Sequence, residues 1–187
     1  MKDFVLEYAG DDGSRIVSWF KKHLAAIECC ANAGFPEAAL VLIYSGIDTL
    51  GLLNACAETN DATRDTFKDW CNKYLVERLS DVDVNPVTAT DLYAARCGVL
   101  HTSTAISKLS REGNAREVWY QFRGRTGVNL LANVAAPPLR LDIERLAIAL
   151  TQAGCAFIRD LIRDQASLQA ADVRAQHFLR WGTVVPT

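Results

Sequence analysis

Residues 36–56, PEAALVLIYSGIDTLGLLNAC, constrain the fold more than any other stretch of the chain. Pro36 suits the first turn of a helix, because the amide it lacks is one that a helix start leaves unbonded anyway. Beyond it, apolar residues fall on nearly every side of the helical wheel, so no single face can be turned to water. A helix of that kind is stable only when other elements surround it, and the chain must place it at the centre of a bundle. The most apolar part, residues 38–43, is soon followed by Ser45, Gly46 and Asp48. No run approaches the length of a membrane span, so no membrane contact is expected. The N-terminal MKDFVLEYAGDDG carries four acidic residues and lacks the apolar centre of a signal peptide, which predicts a cytoplasmic protein.

The flanking segments carry helical periodicity as well. Residues 14–33 place Ile16, Trp19, Phe20, Leu24, Ile27 and Ala31 on one face, with Asp12 or Ser14 as cap and Gly34 as stop. A third helix starts at residues 61–63, carries Phe67, Trp70, Cys71, Tyr74 and Leu75, and ends near Leu79 ahead of an acidic loop. Thr88 or Thr90 caps a fourth. The pattern then changes: REVWYQF at 116–122 is aromatic and partly alternating, residues 124–127 are turn-rich, and 128–134 are apolar again. This predicts a β-hairpin or irregular ribbon at about 116–134, ended by Pro137 and Pro138. Asp142 caps a long helix to about Arg163, with Leu146, Ala149, Leu150, Ala153, Phe157 and Leu161 as its core stripe, and a last helix covers about 168–181. The chain of 187 residues has no internal repeat. It therefore reads as one all-α domain over 1–187, a bundle of five or six helices with a small β-ribbon inserted.

Charge is spread unevenly. The first 101 residues hold nine Lys/Arg against fifteen Asp/Glu, residues 102–138 hold five against two, and the remaining 49 hold six against five. A whole-chain pI near 5.9 opposes tight nonspecific binding of nucleic acid, but the local basic segment suits a polyanionic ligand. Within it, Arg116, Trp119 and Arg123 interleave cations with aromatics as a single-strand stacking surface does, and Lys108 and Arg111 precede them. The competing reading is a ribbon whose aromatics plug against the bundle. Six cysteines stand at 29, 30, 56, 71, 97 and 155 with no C-x-x-C pair. They read as reduced thiols filling small core positions, with no metal and no cofactor expected.

The segment DLYAARCGVLHTSTA at 91–105 holds the residues best suited to chemistry. Arg96 is a fixed cation whose planar fork suits phosphate, and His101 is one of only three histidines able to move a proton near neutral pH. On a helix the two lie about 140° apart around the axis, so they do not share one face. They can still line one cleft over the helix end, or a cleft built from two subunits. Ala94, Gly98 and Thr102 (or His101) form a stripe of small residues; Gly98 invites the close approach of a neighbouring helix or of a second subunit.

The pattern L-Y-x-x-R-x-x-x-x-H, formed here by Leu92, Tyr93, Arg96 and His101 on a late helix, resembles the HEPN (higher eukaryotes and prokaryotes nucleotide-binding) domain. The helix carrying Tyr44 and Asp48 is similar to the core helix that in this family presents an acidic residue toward the motif. The likeness is close over 91–103 and loose over 14–165. It implies a HEPN-like bundle and a metal-independent endoribonuclease, often a toxin or antiviral effector. Arg96 would hold the scissile phosphate and His101 would act as acid or base, supported by Asp48, Tyr44, Tyr93 and Cys97. Cys97 stands where active members most often carry Asn. The resemblance also implies a homodimer, since two copies of His101 would supply both proton roles, and an antitoxin-like protein is a possible partner. The alternative is a non-catalytic HEPN-like module that binds a nucleotide, nucleic acid or a partner protein, with Arg96 paired to Asp48.

Overall fold

A computed structural model describes residues 14–56, 59, 61–79, 86–102, 107–123, 125–126 and 138–178. The described chain is predominantly helical: α1 (Ser14–Asn32), α2 (Pro36–Asn54), α3 (Arg64–Trp70), a π-helical segment (Cys71–Leu75), α4 (Val76–Leu79), α5 (Ala89–Thr102), α6 (Lys108–Arg111), α7 (Ile143–Arg163) and α8 (Gln165–Phe178). Helix α3, the π segment and α4 form one continuous run, as the single helix expected there. Three short strands, β1 (Val118–Phe122), β2 (Arg125–Thr126) and β3 (Leu139–Asp142), form a sheet of order β2-β1-β3.

Helix α2 is the centre of the bundle. It packs against α1, α3, α5, α7 and α8. Ile43, Tyr44, Ile47, Leu50 and Leu53 are fully buried, each contributing roughly 1.5–3 kcal/mol of apolar burial. Among the described residues it is the one helix long and apolar enough to cross a membrane, and most of that stretch lies inside the protein. Two glycines set the approach of its neighbours. A Cβ at Gly51 would stand 2.7 Å from the Thr66 carbonyl oxygen on α3, and one at Gly154 on α7 would meet the Phe20 ring at 2.1 Å. Trp70 and Phe157 meet edge to face between the helices.

The helix ends follow from local chemistry. Gly34 takes a left-handed φ of +83°, and the Phe35 amide returns to the Cys30 carbonyl at 2.9 Å, which closes α1. Thr63 caps α3 through a reciprocal pair of bonds with Thr66, and Asp142 accepts from the Arg145 amide at 2.9 Å to cap α7. The last carbonyls of α2 are met by a buried cation instead: the Arg174 guanidinium on α8 donates to Leu53 O, Ala55 O and Cys56 O at 2.8–3.0 Å. Thr88, not Thr90, caps α5. Its hydroxyl accepts from the Asp91 amide at 3.1 Å, and Asp91 Oδ2 accepts from the Thr88 amide and hydroxyl.

The expected ribbon at 116–134 falls only in part within the described residues. β1 and β2 pair antiparallel as a hairpin should, whereas 128–134 lies outside the described residues. β1 also pairs in parallel with β3, where only a helix cap at Asp142 was expected. The reason is visible in β3: Leu139 and Leu141 are buried and Arg140 is exposed, a two-residue period too short to stand out from the loop before it. Val118 and Leu139 face the bundle, and Tyr120 sends its hydroxyl to Tyr44 at 2.7 Å. The expectation for the cysteines also needs correction. Only Cys71 is buried; Cys30, Cys97 and Cys155 are half-buried, and Cys29 and Cys56 are exposed, because they fall on helix flanks and ends outside the central stripes.

Asp91 ties this ribbon to α5. Burial disfavours its charge, but the Arg116 guanidinium and amide and the Thr88 bonds outweigh that and hold its carboxyl below the ordinary value. Arg116 Nη2 reaches Asp91 Oδ2 at 2.6 Å and the Pro86 carbonyl at 2.7 Å. Removing Arg116 leaves a buried carboxylate short of donors. Arg116→Ala is therefore expected to cost about 2 kcal/mol at neutral pH, measured by urea unfolding. A depressed carboxyl pKa contributes stability above the ordinary carboxylate range and loses it as pH falls through the folded value. The cost of Arg116→Ala should accordingly shrink under acid; an equal cost at both pH values would contradict the pairing. Gly51→Ala tests the packing. Helix propensity alone would stabilise by ~1 kcal/mol, but the fixed Thr66 carbonyl leaves no room, and a net loss of about 1–2 kcal/mol is expected in the same assay.

Candidate functional site

Helix α5 is anchored by its inner face: Leu92, Ala94 and Ala95 are buried, as is Gly98. Ala94 and Gly98 of the small-residue stripe thus face this chain's own interior. With that side inward, the helical period turns Tyr93, Arg96, Cys97 and His101 outward.

Arg96 lies between two partners. Its Nε and Nη2 donate to Asp48 Oδ2 on α2 at 2.9 and 2.7 Å, and its Nη1 donates to His101 Nε2 at 3.2 Å. The 140° of helix between Arg96 and His101 is spanned by the length of the arginine side chain, so both groups meet in one subunit. Arg96 and Asp48 keep 20% and 16% of their side-chain surface exposed, and His101 is exposed, so the cluster opens to solvent. A guanidinium has no lone pair to offer, so this contact requires an unprotonated Nε2 and puts the ring proton on Nδ1. Further N–H donors remain on Arg96 for an incoming anion.

The electrostatics are those of a half-buried ion pair. Burial pushes the Asp48 carboxyl above its ordinary value, against the pull of the Arg96 bonds and charge. Burial also disfavours the Arg96 cation, but the Asp48 bonds and charge outweigh it and raise the guanidinium pKa. Tyr93 forms one wall. Its ring meets Phe67 edge to face at 5.6 Å, and the guanidiniums of Arg64 and Arg96 lie 5.5 and 6.0 Å from its centroid. Burial and the adjacent Cys97 push the phenol up, while Arg64 and Arg96 pull the other way.

Other expected site residues are placed elsewhere. Tyr44 is fully buried one turn before Asp48 and bonded to Tyr120, and burial pushes both phenols up. Arg116 serves Asp91. Lys108 lies 3.7 Å from Glu112, Arg111 is exposed on α6, and Arg123 stands at a turn with φ +49°, over the Phe122 ring and 3.6 Å from Glu144. Trp119 is half-buried, its indole nitrogen enclosed with no hydrogen-bond partner among the described residues, while Tyr120 and Phe122 pack toward the core. The aromatics of the ribbon are divided between its two sides and make no continuous stacking surface. Arg64 is the residue sequence reasoning missed. Its signal was a cation at the first position of a helix, where the dipole disfavours positive charge.

Among the described residues no group of three His, Cys, Asp or Glu side chains could hold a metal. A cavity of about 540 Å³ lies at the C-terminal end of α2, lined by Lys73, Tyr74, Phe157, Asp160, Asp164 and Arg174 among others, and none of Asp48, Arg96 or His101 reaches it. Three of its charged groups are engaged internally: Tyr74 donates to Asp160, Asp164 accepts from the Ala166 amide, and Arg174 closes α2. The candidate site is instead the exposed cluster of Asp48, Arg96 and His101 on α2 and α5. Compared with protein-family models, curated proteins and solved structures, the chain matches none.

The Asp48–Arg96 pair makes a direct prediction. Asp48→Ala should destabilise by roughly 1–3 kcal/mol by leaving Arg96 unpaired, whereas Asp48→Asn, which keeps an acceptor oxygen, should cost clearly less. Denaturant unfolding of the two variants decides it, and equal costs would contradict the geometry.

Proposed function

We propose that this chain is a HEPN-like, metal-independent endoribonuclease of the cytoplasm, with Arg96 and His101 as its working groups. One observation carries the reading: Arg96 and His101 are in hydrogen-bond contact on an exposed surface, with Asp48 orienting the guanidinium from the central helix. The family resemblance of Leu92, Tyr93, Arg96 and His101 on a late helix of a helical chain supports it.

The mechanism follows from these groups. Phosphate oxygens of the RNA would take the Arg96 Nη donors, displacing the contact to His101 and freeing its Nε2. That lone pair then accepts the proton of the 2′-hydroxyl as the oxygen attacks phosphorus. Arg96 stabilises the charge that builds on the phosphorus oxygens. The 5′-oxygen leaves with a proton from an imidazolium, and the products are a 2′,3′-cyclic phosphate and a free 5′-hydroxyl. One imidazole cannot be base and acid in the same step, so a second copy of the chain would bring the second His101. This is the basis for proposing a homodimer.

A second reading has its own support: Arg96 already spends two donors on Asp48, which is what a structural cation does. On that reading the chain binds RNA, a nucleotide or a partner protein without cleaving.

Incubation with labelled RNA in EDTA separates the two. The ribonuclease reading expects cleavage in EDTA and a loss of about 10²–10⁴-fold in rate for His101→Ala with the helical content unchanged. Cleavage that persists in His101→Ala would overturn the assignment, and salt-sensitive binding without any cleavage would establish the second reading.

A further inference from the structure

We propose that Arg64 is a second phosphate-binding group of this site, so that its substrate is an RNA strand bearing a phosphate next to the scissile one. The proposal rests on the ribonuclease reading and extends it to a residue outside the Arg–His pair.

Arg64 is exposed, and among the described residues no carboxylate lies within ion-pair distance of it. Its position is unfavourable for its own helix. As the first residue of α3 it sets a positive charge against the positive end of the helix dipole. The side chain lies instead across the α3–α5 contact, against the Tyr93 ring that also borders Arg96. A ring face attracts a cation, and Phe67 holds this ring in place. Tyr93 thus positions both guanidiniums. The two cations differ in one respect: Asp48 balances Arg96, and nothing described balances Arg64.

These groups are arranged in a row. Tyr93 and His101 are eight residues apart on α5, about 12 Å along its axis. Arg64 stands at the Tyr93 end, the imidazole stands at the other, and Arg96 lies between and reaches toward the imidazole. A phosphate that reacts beside His101 is held by Arg96. The unbalanced charge of Arg64 then falls along the track of the strand, where a flanking phosphate passes.

Steady-state kinetics on two short RNAs test this: a dinucleotide with one internal phosphodiester, and the same dinucleotide with an added terminal phosphate, supplied on the 5′ or the 3′ side. The added phosphate, on one of the two sides, is expected to lower KM about fivefold for the unaltered protein, the size of an exposed ion pair. Arg64→Gln should abolish that advantage with kcat unchanged, and Arg64→Lys should keep part of it. A KM indifferent to the added phosphate on either side, or an Arg64→Gln variant that behaves as the parent, overturns the proposal. So does a fall in kcat on both substrates, which would put Arg64 on the scissile phosphate. Failure of the underlying reading is separate: the unaltered protein cleaves neither RNA, or His101→Ala cleaves both as well as the parent.

Discussion

A carboxylate on the central helix creates the interaction on which the site depends. Helix α2 is buried over most of its circumference, and Asp48 stands where that circumference meets solvent. A half-buried charge is costly unless it is paired and hydrogen-bonded. Arg96 supplies the pairing from α5, and in doing so its guanidinium is held in one orientation. The remaining nitrogen then reaches His101. The requirement that a buried helix imposes on its one acidic residue in this region is the requirement that assembles an arginine and a histidine on the surface.

The rest of the molecule holds α5 in place for that contact. Leu92 and Ala95 seat its inner face in the core, and Asp91 joins its first turn to the ribbon through Arg116. One turn before Asp48 on α2, Tyr44 meets Tyr120 from the sheet. Charged groups that could be taken for chemistry have structural work: Arg116 holds a loop carbonyl and a carboxylate, and Arg174 holds three carbonyls at the end of α2. The cation without such work in the described part of the site is Arg64.

Elements with a long period were legible in advance. Helices α1, α2 and α7 were read to within a few residues because their stripes repeat over five turns and their ends carry Gly34, Pro36 and Asp142. Strand β3 was not. Four residues give two apolar positions, and a parallel pairing with β1 depends on a contact across 21 residues of chain numbering from Val118 to Leu139. The division of the ribbon aromatics, with Tyr120 turned to the bundle and Trp119 away from it, follows from that same pairing. Gly98 was ambiguous for a related reason: a small residue shows that something approaches closely, and only the packing shows that it is this chain's own interior.

The sequence by itself determined that α2 is central, that the fold is helical, and that Arg96, His101 and Asp48 are the residues to watch, because periodicity, capping and side-chain chemistry are local properties. Only the tertiary structure decided that these three meet in one subunit. On a helical wheel Arg96 and His101 diverge, and the wheel takes no account of the reach of an arginine side chain or of the carboxylate from another helix that directs it. Arg64 belongs to the same category. Its place beside Tyr93 arises from the packing of α3 on α5, which no spacing within either segment records.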